Sequence, residues 1–218
     1  MRRRNGLLGM SIPEDIATRL RTGDPRQRAL LVVDMQVDFM PGGALPVPEA
    51  DRLVPLINAY VAAFADAGAL LIFSRDWHDP AHESFRSQGG PWPVHCVAGS
   101  DGAAFAPGLH VPPSALIVSK GVEPRSNGYS AFEATRLAET LAQRGVRELF
   151  VAGVATDYCV RASVLDARAA GLQVNVLADA IAGVDVRPGD SDRALAEMQA
   201  AGARVLGGAP HNEHAASR

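Results

Sequence analysis

The chain has 218 residues, a formal net charge of −3 and a hydrophobic fraction of 47%. This length suits one domain with a single large core, and the slightly acidic balance lacks the basic surface typical of nucleic-acid-binding proteins. No apolar run is long enough to cross a bilayer, and no long apolar segment follows the basic residues 1–4, so we expect a cytoplasmic protein without membrane contact. The two cysteines, Cys96 and Cys159, give no disulfide framework and suit a reducing compartment.

Short apolar runs alternate with helical patterns along most of the chain. The runs lack polar alternation, which is typical of strands buried on both faces of a parallel sheet. The predicted strands cover residues 30–33, 70–73, 116–118, 149–151, 174–177 and 203–206. The predicted helices cover residues 50–67, 131–144, 160–170 and 191–201, each followed by a glycine stop, and Asp190 or Ser191 caps the last one. This order predicts a three-layer α/β domain with right-handed crossovers.

The same pattern divides the chain into three predicted segments. They are an N-terminal extension over 1–28, a domain over 29–206 and a flexible polar tail over 207–218. The extension is expected to hold one short helix, with Ser11 as its N-cap. Within the domain, residues 76–113 form a long stretch rich in proline and glycine, and such a loop inside a compact domain is usually functional.

Polar residues follow the predicted strands, at the edge where open α/β sheets bind ligands. Cys159 begins a helical pattern after the fourth strand, where the helix dipole favours a thiolate and therefore a nucleophile. Asp34 follows the first strand and either caps the next turn or, with a pKa raised by burial, acts as a base. Lys120 follows the third strand and is either solvated or holds a nearby carboxylate and thiol in their ionised forms.

A second group of candidates lies in or beside the long loop: Asp76, His78, His82 and His95. Histidine and carboxylate ligands together are typical of a divalent transition-metal site. A single histidine there is more often a surface or structural residue, but three with one aspartate favour a metal. Cys96 offers a soft ligand, but it directly follows His95 and is expected to point away and pack.

Four aromatic residues lie near these candidates in the chain: Phe39, Trp77, Trp92 and Tyr129. Their ordinary role is to cover the edge of the core. A flat aromatic substrate would instead use one or two of them for stacking. The residues alone leave both roles open.

Several motifs resemble the nicotinamidase (pyrazinamidase) branch of the isochorismatase-like hydrolases. The motifs are VDMQVDF at 33–39, RDWH at 75–78, WPVHCV at 92–97, KG at 120–121, YSAF at 129–132 and GVATDYCV at 153–160. The resemblance covers residues 29 to 206, in order and without large gaps. The segments with Asp34, Lys120 and Cys159 are shared across the superfamily, whereas the Asp-x-His and Trp-x-x-His segments are more specific to nicotinamidases.

The resemblance implies a Rossmann-like α/β/α fold with a six-stranded, mostly parallel sheet. It implies hydrolysis of nicotinamide, and of pyrazinamide-like carboxamides, through a cysteine thioester. The catalytic triad would be Asp34, Lys120 and Cys159. The backbone N–H groups of Ala155 and Cys159 would form the oxyanion hole. Relatives are often dimers or larger, so a homo-oligomer is compatible with the resemblance.

The resemblance also implies a metal and a substrate pocket. One divalent transition metal (zinc, iron or manganese in relatives) would be held by Asp76, His78 and His95, with His82 as an extra or water-mediated ligand. Phe39 and Trp92 match positions that sandwich the pyridine ring, and the Val154–Ala155 bond matches a cis peptide. The substrate contacts would be Phe39, Trp92, Tyr129 and Val154.

Other functions stay open at this stage. Another amidase of the superfamily, such as an N-carbamoyl amidase, uses a similar Asp-Lys-Cys set but needs no metal to anchor a pyridine. A vinyl ether hydrolase of the isochorismatase type needs no thiol, so Cys159 disfavours it. A non-catalytic binding protein of the same fold would not need the intact triad and metal set.

Overall fold

The computed structural model describes residues 11–126 and 128–208, and its centre is a six-stranded sheet. The strands are β1 Arg28–Val33, β2 Leu70–Asp76, β3 Leu116–Lys120, β4 Glu148–Val154, β5 Gln173–Ala182 and β6 Arg204–Leu206. They lie in the order β3-β2-β1-β4-β5-β6, and each neighbouring pair is parallel. The predicted α/β fold is confirmed, and the sheet is wholly rather than mostly parallel.

Five α-helices of the described residues cover the two faces of this sheet. They are α1 Glu14–Arg21, α2 Ala50–Ala67, α3 Leu137–Gln143, α4 Arg161–Ala169 and α5 Asp190–Ala200. Helix α2 has the predicted bounds and ends at Gly68, whose φ of 79° permits the left-handed closing turn. Helix α3 starts later than predicted, because Ala134 has a φ of 51°, which interrupts the helical hydrogen-bond pattern.

Two other helix starts differ from the sequence prediction. A π-helical turn, Thr156–Val160, comes before α4, so Cys159 lies in this turn and not in the α-helix. The predicted side-chain caps of α5 are wrong, because its N-cap is Gly189 with no capping side chain. Instead, the Asp185 carboxylate accepts hydrogen bonds from the backbone N–H and the hydroxyl of Ser191 at 2.7 Å each.

The described part of the N-terminal segment packs on the domain. Helix α1 follows Pro13 without a side-chain cap, so the predicted Ser11 cap is wrong. Ile16 and Leu20 of α1 are buried in the same apolar cluster as the inner face of α2. Residues 1–10 and 209–218 lie outside the described residues, and the division into extension, domain and tail stays a prediction.

The sheet separates two apolar cores and leaves a crevice at one edge. Helices α1 and α2 pack on one face, and α3, α4 and α5 pack on the other. The strand order reverses between β1 and β4, and ligands of open α/β sheets bind outside the carboxyl ends of the strands at such a point. Among the described helices, none combines the length and the hydropathy that a membrane span requires.

Candidate active site and metal-binding site

Four predicted site residues meet at the carboxyl edge of four adjacent strands. Asp76 and Lys120 are the last residues of β2 and β3 and are paired in the ladder. Asp34 directly follows β1, and Cys159 lies in the turn after β4. All four are buried, with exposures of 7% or less. The parallel order β3-β2-β1-β4 therefore brings residues from distant parts of the chain into contact.

Asp34 is a buried carboxylate held by one hydrogen bond and one ion pair. The Ser74 hydroxyl donates to Asp34 Oδ1 at 2.7 Å, and Lys120 Nζ lies 2.7 Å from Asp34 Oδ2. Burial raises the pKa of Asp34 to about 6, although Lys120 opposes the shift. A carboxylate with a pKa near neutral can accept and return a proton, so the geometry supports the predicted base rather than a capping role.

Lys120 lies at the centre of the group, and the structure excludes the solvated alternative. Its ammonium contacts Asp34 Oδ2 at 2.7 Å, Asp76 Oδ1 at 2.6 Å, the Gly128 carbonyl at 2.7 Å and Cys159 Sγ at 3.4 Å. Burial opposes the charged form, but the two carboxylates outweigh it and raise the pKa of Lys120 well above its usual value. Lys120 is therefore a permanent cation of this site.

The Cys159 thiol rests in its protonated form, contrary to the thiolate predicted from a helix N-terminus. Its sulfur lies with carboxylate oxygens of Asp34 and Asp76 in a group whose atoms are all within 4.8 Å of one another. Burial raises the pKa of Cys159 well above its usual value; Lys120 lowers it, while Asp34 and Asp76 raise it further. Nucleophilic attack by Cys159 therefore needs a base, which Asp34 can supply.

Asp76, His78 and His95 form a compact group of buried potential ligands whose donor atoms lie within 4.8 Å of one another. The His78 and His95 Nδ1 atoms lie 3.0 Å and 2.8 Å from the carbonyls of Gly121 and Pro93. A carbonyl only accepts, so each Nδ1 carries a proton, and Nε2 is the atom of each ring that can bind a metal. These Nε2 atoms face Asp76 Oδ2 at 3.5 Å and 3.9 Å. Two ring nitrogens that converge on one carboxylate oxygen match the ligand set of a bound cation.

Two further contacts explain how His78 and His95 are placed. Gly121 has a φ of 62°, and a Cβ at this position would lie 2.4 Å from His78 Cε1, so only glycine lets the ring approach. Asp38 Oδ2 accepts the backbone N–H of Cys96 at 2.7 Å, next to His95. Cys96 itself is buried in the apolar core, in agreement with the predicted packing role.

His82 lies outside the compact ligand group. Its ring packs beside His78, with 4.3 Å between the centroids, and its Nδ1 lies 2.8 Å from the Ser84 hydroxyl. Its Nε2 is buried and has no hydrogen-bond partner among the described residues. The geometry therefore supports three direct ligands, and a water-mediated role for His82 stays a prediction.

A cavity that is partly open to solvent lies over the thiol and the ligand group. Among the predicted substrate contacts, Phe39, Trp92 and Tyr129 line it, and Ala155 and Cys159 lie at its base. Val154 does not line it, because this residue ends β4 and is 1% exposed within the core. The Val154–Ala155 bond is cis.

The cavity wall also contains residues that the sequence analysis missed: Leu45, Val47, Ser84, Gly128, Tyr158 and Val184. Tyr158 stands edge-on to Trp92, with 5.1 Å between their centroids. Trp92 Nε1 donates to the Tyr129 hydroxyl at 2.9 Å, which fixes the indole ring. Trp77 instead packs under the Arg75 guanidinium at 3.6 Å, away from the cavity lining.

Two buried polar residues, Gln36 and Ser74, were also missed. Ser74 binds the Asp34 carboxylate, and the Gln36 side chain binds the backbone of Asp76. A polar residue within or just after an apolar strand was the available signal, since a buried polar group requires a partner. The sequence did not show which partner each one has.

A three-layer α/β fold with a thiol, a carboxylate and an ammonium in contact at its switch point defines a class of protein equipped for nucleophilic catalysis. More specifically, the chain belongs to the isochorismatase family, whose domain model matches residues 28–209.

Individual relatives are consistent with this family. The chain is 43% identical over 199 residues to a nicotinamidase of Escherichia coli, covering 82% of this chain and 93% of that protein. It is 37% identical to a nicotinamidase/pyrazinamidase of Mycobacterium tuberculosis, covering 82% of this chain and 98% of that protein. A zinc complex of the pyrazinamidase of Pyrococcus horikoshii is similar in structure, with a TM-score of 0.80 and 49% identity over 84% of this chain and 99% of that chain.

Proposed function

We propose that the chain is an amidohydrolase that converts nicotinamide to nicotinate and ammonia, and that it also accepts pyrazinamide-like carboxamides. The observation that carries the proposal is the contact of Lys120 with both Asp34 and Cys159 under an aromatic-walled cavity. The similarity to nicotinamidases over most of the chain supports the substrate class.

In the first half-reaction, Cys159 Sγ attacks the carboxamide carbon while its proton passes to Asp34. The sulfur–carbon bond forms, and the carbonyl oxygen becomes an oxyanion that the N–H groups of Ala155 and Cys159 stabilise. The carbon–nitrogen bond then breaks, and Asp34 returns the proton to the departing ammonia. Lys120 balances the negative charge that develops on the sulfur.

In the second half-reaction, water attacks the thioester and gives a proton to Asp34. The sulfur–carbon bond breaks, Cys159 recovers its proton from Asp34, and nicotinate leaves. The same carboxylate therefore acts as base and acid in both halves, which suits a pKa of about 6. Phe39 and Trp92 hold the flat ring between them in this proposal.

Asp76, His78 and His95 would hold one divalent metal, and we propose zinc. The zinc complex of the similar pyrazinamidase supports this choice over iron or manganese. When bound, the metal would offer a Lewis-acid contact for the pyridine nitrogen and so orient the ring. Burial lowers the pKa of His95, which keeps this ring neutral and able to bind a metal.

Ammonia release from a panel of amides, with and without a chelator, tests the proposal. We expect nicotinamide and pyrazinamide to react fastest and the Cys159→Ala variant to lose at least about 10⁴-fold in kcat/KM, because it lacks the nucleophile. Cys96→Ala is the matched control, since it removes the other thiol, and it should keep its activity. Full activity of Cys159→Ala contradicts the mechanism.

The same panel separates the main alternative. An N-carbamoyl amidase would release ammonia fastest from N-carbamoyl compounds and would be insensitive to the chelator. That result would identify an N-carbamoyl compound rather than nicotinamide as the substrate. The proposed roles of Asp34, Lys120 and Cys159 would not change.

We further propose that the protein works in the cytoplasm, in pyridine nucleotide salvage. Both cysteines are free and buried, which supports a reducing compartment. Its partner would be the small carboxamide substrate, and a homo-oligomer is compatible with this proposal. Light scattering of the purified chain measures the oligomeric state directly.

A further inference from the structure

Gln36 is fully buried just after β1, and its side-chain amide binds the backbone of Asp76 on both polar atoms. Gln36 Oε1 accepts the Asp76 N–H at 2.7 Å. Gln36 Nε2 donates to the Asp76 carbonyl at 2.8 Å and to the Ala103 carbonyl at 3.0 Å. The amide therefore uses its acceptor and two donors, and Gln36 itself does not line the cavity.

The Gln36 side chain forms hydrogen bonds to β2 beyond the point where the backbone of β1 pairs with that strand. The β1–β2 register ends at Val32 opposite Phe73, and the Asp34 N–H still reaches the Ser74 carbonyl at 3.3 Å. At Asp76 the amide of Gln36 takes the place of a strand, since it presents one donor and one acceptor as a peptide group does. On its other side Asp76 pairs with Lys120 of β3, so its backbone is held from both sides.

The position of Asp76 matters because its carboxylate is shared between two groups. Oδ1 lies 2.6 Å from Lys120 Nζ, in the catalytic group. Oδ2 faces the Nε2 atoms of His78 and His95, in the ligand group. A displacement of the Asp76 backbone would change both sets of contacts at once.

We propose that Gln36 is a positioning residue: it fixes Asp76 so that one carboxylate serves both the metal-ligand group and Lys120. The inference rests on the metal site of the proposed function and adds to it a residue that touches neither metal nor substrate. Replacing a residue that holds a metal ligand in place typically weakens metal binding.

The test is the zinc affinity of the full chain, measured by competition with a chromophoric chelator. Gln36→Met keeps the length of the side chain and removes its hydrogen bonds, and we expect its Kd for zinc to rise at least about tenfold. Tyr60→Phe is the matched control. It removes a buried hydroxyl that donates to Asp179 at 2.9 Å, outside the cavity lining. Its Kd should stay within about twofold of wild type, while thermal unfolding shows the loss of stability in each variant.

Gln36→Asn provides a second variant if Gln36→Met does not fold, since it keeps the amide but is too short to reach both polar atoms of Asp76. A Kd unchanged in the folded Gln36 variants, or raised equally in Tyr60→Phe, would overturn the positioning role. A wild-type chain that takes up no zinc would overturn it together with the metal site. If wild type binds zinc but releases no ammonia from nicotinamide, the proposed function fails and the result for Gln36 stands.

Discussion

The two ends of the sheet each hold a network of charged residues, and the networks differ in their balance of charge. At the amino end, Glu148 contacts Arg28 at 3.0 Å, Arg19 at 3.6 Å and the amide of Asn175 at 2.9 Å. At the carboxyl end, the single cation Lys120 contacts two carboxylates, Asp34 and Asp76. At the amino end one carboxylate contacts two cations, whereas at the carboxyl end two carboxylates contact the same cation.

This difference separates a structural network from a reactive one. The Glu148 carboxylate contacts two cations and an amide, which balance its charge and hold it in place. The two buried carboxylates that share Lys120 differ in pKa: Lys120 lowers the pKa of Asp76 against the effect of burial, whereas burial raises the pKa of Asp34 to about 6. Burial thus leaves Asp34 as a proton acceptor beside a protonated thiol.

Among the tests of this comparison between the two ends, the largest expected effect comes from removing that acceptor. Asp34→Asn keeps the shape of the side chain but cannot take the proton of Cys159, so kcat/KM for nicotinamide should fall about 10³-fold. Lys120 keeps its contact with Asp76, so the thermal unfolding temperature should change little. Stopped-flow or steady-state ammonia release measures the first quantity, and calorimetry the second. An active Asp34→Asn enzyme would show that this end of the sheet is not the reactive one.

The pH dependence should report the same group. Asp34 must be ionised to accept a proton, and its pKa is about 6, so kcat/KM should be constant above this value and fall about tenfold per pH unit below it. A pH–rate profile of the zinc-loaded enzyme measures this fall at low pH, the acidic limb of the profile. An acidic limb near the usual pKa of aspartate would contradict the effect of burial on Asp34.

A smaller and different effect is expected at the amino end. Glu148→Gln removes the charge between Arg28 and Arg19, and the free energy of unfolding should fall by about 2 kcal/mol, since hydrogen bonds to charged groups contribute that much. Urea denaturation measures this loss. The value of kcat/KM should not change, because the network lies at the opposite edge of the sheet; a loss of activity in a folded variant would break the contrast between the two ends.

Ser74→Ala should have the smallest effect on kcat/KM, and it tests whether Asp34 is the group that titrates in the acidic limb. The Ser74 hydroxyl stabilises the ionised form of Asp34 and so lowers its pKa, and its loss should move the acidic limb of the pH–rate profile upward. The plateau above the limb should remain close to that of wild type. A limb that does not move would mean that a group other than Asp34 controls it.

Much of the fold could be predicted from local patterns. The apolar runs locate all six strands because both faces of a parallel sheet are buried, and Gly68 marks the end of α2 because its φ is positive. The start of α3 could not be predicted, because the left-handed Ala134 results from how the preceding loop packs. The π-helical turn at Cys159 has no signal in the pattern either.

The site was predictable as a set of residues and less so as a set of interactions. Asp34, Lys120 and Cys159 could be selected because they follow strands that end at one edge. The place of Val154 in the core, the distance of His82 from the ligand group and the role of Gln36 depend on contacts between segments far apart in the chain. Periodicity contains no information about such contacts.

The sequence by itself determined the class of fold, the residues at the carboxyl edge and the family resemblance, because these depend on local hydrophobic patterns and on motifs. The tertiary structure alone decided the protonation of Cys159 and the sharing of Asp76 between Lys120 and the two histidines. The physical reason is that both depend on burial and on the distances between charges, which exist only once β1, β2, β3 and β4 lie side by side.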